Sequence, residues 1–577
     1  MGTASHELCV STTSAAGDVA PPGSRSRLMA GQALLITLLL GIATYWVLGR
    51  PPLVGIDDAN ITQVYAENLA HGHGYVYQVG GERVEGSTSF AWTLLNALAF
   101  LVSPYPELLS AALAFGLCAV AVFFALQLAE VLAQRLQVSV PVTNWVTAVA
   151  IAATPSLFAW EIWTLMDLVL WTALLMLFLR LLVGEVCSTD SRRARQLWLS
   201  VSAAGLVLTR PEGIALALWM LGCAALLSRL REQPGGARYR PYLAAAAAAV
   251  ATFALLTVGR KLYFGYPFPN TFYAKVSSSP WRQLAGGLRY LAGYVSKTPY
   301  CVVYLGAWAG VLAVCASKSF GISSAARAAV ALVAATILAV LGLYVGLGGD
   351  HFPLHRFYQP LSLLLPLPLA LACAYAWPRV PAGLRHQPAS KLALSFTASL
   401  FVLGSIGQLA STSQDLRLQF TTGLDGRELA EQLRKLRPRP TVGVVAAGGF
   451  TREYAGKVFD LMGLNWVAMA HADPVKTGSV RNHAGFSARV FWQARPDVLA
   501  FTGKRCNTGK AWGPDEFETS ALKGLPSSAA FLAEYTPAKL GCYLAFARKD
   551  WLARVGPQEV LAPLPPSVAA PAKRRSF

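Results

Sequence analysis

The chain has 577 residues, 54% of them apolar and only 14% charged, with a mean hydropathy of +0.44. Soluble domains carry roughly 25% charged residues, so this composition excludes an ordinary soluble protein and points to a polytopic α-helical membrane protein. The formal charge of +19 does not argue for nucleic acid, because no basic helix with interleaved aromatics is present and cytoplasmic loops of membrane proteins collect Lys and Arg.

Residues 1–28 are small and polar, end in "GSRSR", and are expected to form a disordered cytoplasmic tail. The apolar run that follows is too long for a cleaved signal peptide and lacks a small-residue cleavage site. Segments of bilayer-spanning length (about 20 residues, sometimes fewer) recur at 29–48, 107–130, 141–159, 163–184, 195–209, 212–229, 241–263, 300–316, 325–348, 357–377 and 391–410, about eleven in all. With the N-terminus in the cytoplasm, the basic clusters between spans fall on one side: Arg135; Arg192, Arg193 and Arg195; Arg229, Arg231, Arg238 and Arg240; Lys318 with Arg327; and Arg379 with Arg385. This holds only if "SFAWTLLNALAFLVS" (89–103) does not cross. It is therefore expected to lie in the outer interface, with Trp92 as an aromatic anchor.

Polar chemistry then gathers on the extracytoplasmic face. The first outward loop (49–106) opens on two adjacent acids, Asp57 and Asp58. One acid would suffice to cap a short helix over 59–70, whereas a pair suits one carboxylate facing a reacting sugar and a second orienting it, or the two binding a divalent cation. The loop continues through five glycines to Arg83, Glu85 and Ser87, and its aromatic content argues against disorder. His71 and His73 read better as solvated loop residues than as metal ligands. "TRPEG" sets Arg210 and Glu212 between two spans, either as a pair closing a helical hairpin or with Arg210 neutralising a lipid phosphate. "PNTFYAK" offers Asn270, Tyr273 and Lys275, and "GGDHFPLHRF" brings Asp350, His351, His355 and Arg356 together, a set suited to holding a phosphate. Asp167 stands at the head of a span, either facing the same cavity or capping the helix.

From about residue 411 to 560 the sequence reads as a soluble α/β domain. A helix is expected over "RELAEQLRKL" and strands at "TVGVVA", "WVAMA", "VLAFT" and "YLAFAR". "AAGGF" (446–450) is a glycine turn that lacks a phosphate-loop lysine. Of nine cysteines, only Cys506 and Cys542 fall in this polar region, where a disulfide is expected if the domain lies outside the cytoplasm. Residues 561–577 are expected to be a disordered tail.

"DDANITQVYAENLAHGHGYVYQVGGERVEGSTSFAW", "TRPEG", "P-NT-YAK" and "GGDHF…RF", in this order, resemble the mycobacterial terminal β-(1→2)-arabinofuranosyltransferases of cell-wall arabinan and related bacterial enzymes that decorate pilins or surface glycans. In the C-terminal domain, "DLMGLNWVAMAH" (460–471) carries the likeness. The resemblance implies a GT-C glycosyltransferase of the bacterial inner (cytoplasmic) membrane, with a periplasmic C-terminal domain expected to bind carbohydrate. It implies a polyprenyl-phosphate sugar donor, β-D-arabinofuranosyl-phosphodecaprenol or a close relative, and a glycan or glycoprotein acceptor. Carried over by motif, Asp57 is the lead catalytic carboxylate, Asp58 its partner, and Arg210, Lys275 and Arg356 face the donor phosphate. Where family members often read small-Gly-Leu-Glu, this chain reads "TLMD".

The expected reaction is transfer of a pentofuranosyl group from the lipid phosphate to a hydroxyl, with a carboxylate as general base under inversion or as nucleophile under retention. Two rivals accompany it: a GT-C transferase of a lipid-linked hexose or aminosugar, and a transporter or flippase, against which stand the outward position of the polar groups and the absence of internal repeats.

Overall fold

The computed structural model describes residues 22–188, 193–230, 239–298, 300–473, 475–476, 485–506, 512–556, 558, 560–565 and 568. Residues 1–21 and 569–577, most of the two expected disordered tails, lie outside the described residues, as do Arg192, Arg231 and Arg238.

The helices in chain order are α1 (Pro22–Val47), α2 (Asp57–Ala70), α3 (Phe90–Val102), α4 (Pro106–Arg135), α5 (Val140–Ala152), α6 (Pro155–Phe158), α7 (Leu168–Cys187), α8 (Arg193–Thr209), α9 (Gly213–Arg229), α10 (Arg240–Phe264), α11 (Asn270–Lys275), α12 (Pro280–Lys297), α13 (Cys301–Ala316), α14 (Ser324–Gly346), α15 (Leu367–Ala376), α16 (Ala382–His386), α17 (Pro388–Thr412), α18 (Gln414–Leu433) and α19 (Gly448–Glu453). Helix stands at every one of the expected spans. Among the described residues six helices are long and apolar enough to cross a bilayer, and counting bent pairs as single spans raises the number to nine. The molecule is a multi-pass membrane protein.

At the centre of the bundle, α4 keeps one face small with Ala111, Ala114, Cys118, Ala121 and Ala125, all buried, where it passes α1 and α7. Small side chains let helix backbones approach closely where lipid offers no hydrophobic driving force. The short apolar helix α3 corrects one expectation. Trp92 is fully buried and donates its indole N–H to the Leu165 carbonyl oxygen at 3.0 Å. The exposed apolar face is Leu94, Leu98, Leu101 and Val102 instead, because a buried Trp needs a partner for its N–H and the 164–166 turn supplies one.

The C-terminal region holds a six-stranded sheet in the order β2-β1-β3-β5-β4-β6, made of β1 (Val442–Val444), β2 (Val458–Asp460), β3 (Val498–Ala500), β4 (Tyr535–Leu540), β5 (Tyr543–Arg548) and β6 (Leu561–Pro563). β1 runs parallel to β2 and β3, and the remaining pairs are antiparallel. Three of the expected strands are present. "WVAMA" is a helix, Val467–His471, because Met and Ala favour helix and the Glu82 carboxylate of the first loop accepts the Val467 N–H at 2.9 Å. The expected disordered tail from 561 begins as β6, paired to β4. Cys506 and Cys542 are bonded, with Cα atoms 5.0 Å apart. The domain is reached directly from the bundle, α18 following α17 after Ser413 alone.

Candidate active site

The acid pair sits in the first turn of α2, capped by neither: the N-cap is Ile56 and no side chain bonds the helix end. Consecutive residues on a helix point about 100° apart, so the two carboxylates have different neighbours. Asp57 is buried and turns toward the C-terminal domain. Its two oxygens accept the Gly449 N–H at 2.8 Å and the Gly448 N–H at 3.2 Å, capping α19. Burial pushes its pKa up to about 7 against the pull of the Gly449 amide, and neighbouring Asp58 adds to the rise. The glycines are required there: a Cβ at Gly448 would stand 1.9 Å from the Asp57 carbonyl oxygen, and one at Gly449 2.0 Å from the Gly423 carbonyl oxygen on α18. The glycine turn "AAGGF" is thus a close crossing of three helices.

Asp58 turns the other way, into a cavity of about 380 Å³ at the mouth of the bundle. Its carboxylate has no hydrogen-bond or ion-pair partner among the described residues. The same cavity is lined by Asp167, Arg210, Glu212, Lys275, Asp350 and Arg356, so five separate stretches of sequence meet in one place. Arg210 donates from Nε to Asp167 at 2.9 Å and from Nη1 to Glu212 at 3.2 Å and the Tyr344 hydroxyl at 3.3 Å. Arg356 pairs through Nε with Asp350, while its Nη1 is buried without a hydrogen-bond partner among the described residues. The ring of Phe357 lies 4.7 Å from the Arg210 guanidinium and 4.8 Å from that of Arg356, joining the two in one clamp. Lys275 makes no ion pair or hydrogen bond among the described residues. The cavity therefore offers one unpaired carboxylate, one unpaired ammonium and a guanidinium with a spare donor.

Arg356 reaches the cavity because Leu354 and His355 adopt left-handed backbone conformations, with φ of 57° and 49°. Each costs on the order of 1 kcal/mol in a non-glycine residue, and the sharp turn they make brings Arg356 back onto Asp350. Gly349, at φ +75°, permits the loop to press on Tyr290, whose Cβ would be 2.3 Å from a Cβ at 349.

The other expected site residues lie outside this cavity. Glu85 forms a buried ion pair with Arg260 of α10, at 2.8 and 3.0 Å, tying the first loop to the bundle. Arg83 stacks over Tyr263 at 4.8 Å. The Asn270 side chain donates to the Gly463 and Leu464 carbonyl oxygens at 2.8 and 3.0 Å, and Tyr273 stacks on His471 at 4.3 Å, so both dock the C-terminal domain. His351 and His355 line a neighbouring cavity of about 600 Å³, which meets the first at Asp350. The rings of His71 and His73 lie 6.4 Å apart. Among the described residues no group of three His, Cys, Asp or Glu is placed to hold a metal ion.

Sequence reasoning missed the clamp that seats the C-terminal domain. Arg452 bridges Glu107 (2.9 Å), Glu67 (3.2 Å) and Gln63, and Arg427 bonds Asn60 (2.8 Å). No local pattern marks these contacts, since their partners lie more than 300 residues away in sequence. A polar groove of about 790 Å³ separates the first loop from this domain, with Gln78, Glu82, Glu453, Phe459 and Trp466 among its walls.

No family model matches the chain, and no curated protein matches it. Solved structures do. The crystal structure of ArnT from Cupriavidus metallidurans in the apo state gives a TM-score of 0.51 at 14% identity, and the same protein bound to undecaprenyl phosphate gives 0.52 at 15%. Both alignments cover 92% of this chain and 99% of ArnT. The archaeal oligosaccharyltransferase AglB from Archaeoglobus fulgidus, in complex with an inhibitory peptide and a dolichol-phosphate, gives 0.47 at 11%, over 92% of this chain and 76% of its own. With the ArnT likeness spanning almost all of both chains, the membrane bundle with its appended α/β domain is a GT-C fold.

Proposed function

We propose that the protein is a glycosyltransferase that moves a sugar from a polyprenyl phosphate to a hydroxyl of a cell-envelope glycan or glycoprotein on the extracytoplasmic face. One observation carries this reading: an unpaired carboxylate, Asp58, shares a cavity at the end of a GT-C bundle with the unpaired Lys275 and the Arg210–Arg356 clamp. The ArnT structure holds undecaprenyl phosphate, and here the same class of lipid phosphate fits three cations beside a carboxylate. Basic clusters on the opposite side and the Cys506–Cys542 bond support a periplasmic C-terminal domain.

The carboxylate role passes from Asp57 to Asp58, since Asp57 is occupied by the α19 amides. Under inversion, Asp58 takes the proton of the acceptor hydroxyl as its oxygen bonds the anomeric carbon. The bond from that carbon to the phosphate oxygen breaks, and the electron pair leaves with the phosphate. Under retention, the same carboxylate attacks first and is then displaced by the acceptor. Either way Arg210, Lys275 and Arg356 offset the charge that gathers on the leaving phosphate. Asp167, Glu212 and Asp350 hold the guanidinia in place. The groove between the first loop and the C-terminal domain, with rings and carboxylates on its walls, suits an acceptor saccharide.

The finer reading is a pentofuranosyl donor, arabinofuranosyl-phosphodecaprenol, and it rests on the motif resemblance. A panel of radiolabelled polyprenyl-phosphate sugars, given to purified protein with a simple arabinoside acceptor, tests it. Transfer from the arabinofuranosyl lipid alone is expected. Preferred turnover of a hexose or aminosugar lipid would replace the donor and leave the reaction class standing.

A further inference from the structure

The helix α12 is shaped for a surface. Gln283, Gly286, Gly287, Tyr290 and Tyr294 are buried at spacings of three and four residues, and a Cβ at Gly287 would lie 2.0 Å from the Val345 carbonyl oxygen, so the helix presses backbone to backbone on the end of α14. Its other face carries Trp281, 79% exposed, and its axis turns 96° into the apolar helix α13. An amphipathic helix turned by about a right angle from an apolar helix, with Trp and Arg on its free side, has the features of one that lies in the membrane interface.

Beneath its first turns runs a crevice of about 510 Å³. Lys275, Arg282, Arg289 and Lys476 line it, and among the described residues no acid does. Arg289 donates to the Ala285 carbonyl oxygen at 3.2 Å, and neither it nor Arg282 pairs with an acid among the described residues. The Lys476 ammonium donates to the Ala470 carbonyl oxygen and also feels Asp473, which accepts the Lys476 backbone N–H at 3.0 Å and pairs with Lys523 at 3.0 Å. Lys275 and Gln283 also line the catalytic cavity, so the two spaces share a wall.

We infer that this crevice is an exit site for the lipid-borne phosphomonoester that transfer leaves behind. The inference rests on the transfer reading above. The donor is a phosphodiester with one negative charge. When the anomeric carbon leaves, the phosphate keeps the bridging oxygen and its electron pair, and the resulting monoester carries about −1.5 to −2 at neutral pH. The catalytic cavity matches its guanidinia with Asp167, Glu212 and Asp350, whereas Arg282 and Arg289 of the crevice pair with no acid among the described residues. The added charge therefore draws the product, and not the donor, past Lys275 into the crevice. Inorganic phosphate bears the same group, but the interfacial position of α12 commits the site to a lipid.

The test uses full-length protein in nanodiscs and the double variant Arg282→Ala/Arg289→Ala, whose side chains are exposed and outside the catalytic cavity. Inhibition of transfer by polyprenyl monophosphate is expected to weaken at least tenfold in the variant, with KM for the diester donor changed less than twofold. Wild-type inhibition is expected to weaken with salt and to persist in discs rich in anionic bilayer lipid. Equal inhibition of both proteins, displacement by millimolar inorganic phosphate, or loss of inhibition in anionic discs would each overturn the assignment. Direct binding of a fluorescent polyprenyl monophosphate separates this outcome from failure of the function: tenfold weaker binding to the variant stands even where no sugar is transferred.

Discussion

Replacing Asp57 by Asn tests the division of labour within the acid pair. The folded protein holds this carboxyl at a pKa of about 7, raised from 3.8 mainly by burial. A carboxyl whose folded pKa is raised binds its proton more tightly in the folded state, so wild-type stability falls as pH rises from about 4 to about 7. Just over three pH units at about 1.4 kcal/mol each give about 4 kcal/mol as the full loss. Asn resembles the protonated acid and does not titrate. Its one carbonyl oxygen keeps the Gly449 amide and gives up Gly448, a loss of about 1 kcal/mol. Below pH 3.8 the variant is therefore expected to be up to about 1 kcal/mol less stable than wild type, the two cross between about pH 4 and 5, and at pH 8 the variant is about 3 kcal/mol more stable. Thermal unfolding of both proteins in detergent, followed by intrinsic fluorescence from about pH 3.5 to pH 8, reads this as a difference in Tm that changes sign between about pH 4 and 5 and widens toward pH 8. At about 2–4 °C per kcal/mol for a unit of 150 or more residues, the swing is several degrees. Groups that titrate in this window without facing Asp57, such as Glu518 with a pKa of about 7, cancel in the comparison. A difference that stays constant with pH, or that favours wild type more as pH rises, would refute the reasoning.

Gly448→Ala puts a methyl 1.9 Å from the Asp57 carbonyl oxygen and is expected to cost about 3 kcal/mol and loosen the C-terminal domain; limited proteolysis beside Gly310→Ala, a glycine with open space around it, measures this. Lys275→Ala breaks no ion pair among the described residues, so Tm is expected to hold while KM for the lipid donor rises at least tenfold, the worth of one charged hydrogen bond of about 1.5–3 kcal/mol. Steady-state kinetics at varied donor concentration separates that from a fall in kcat.

The bundle was legible because spanning a bilayer requires long apolar runs and because basic loops mark one side. The five stretches that meet at the cavity were legible for a similar reason: Asp58, Asp167, Arg210, Lys275 and Arg356 are charges next to lipid, where an idle charge is costly. What the chain order hid was direction. Asp57 and Asp58 are adjacent letters, and only the packing of α19 against α2 decides which one faces the cavity. Asn270 and Tyr273 lie in a motif with Lys275, yet α11 turns the first two toward the C-terminal domain and the third toward the site. Trp92 was misread as a lipid anchor since burial depends on the distant Leu165 carbonyl. "WVAMA" was misread as a strand because its helix is seeded by Glu82, hundreds of residues earlier.

The central claim is that Asp58, and not Asp57, does the chemistry on a lipid-linked sugar. Turnover of radiolabelled arabinofuranosyl-phosphodecaprenol by wild type, Asp58→Asn and Asp57→Asn, each purified and folded, tests it most directly. The account predicts a loss of at least about a thousandfold for Asp58→Asn, in the range seen when a catalytic acid–base or nucleophilic group is removed, and turnover within about tenfold of wild type for Asp57→Asn. Full activity in folded Asp58→Asn, or an inactive Asp57→Asn beside an active Asp58→Asn, would contradict it.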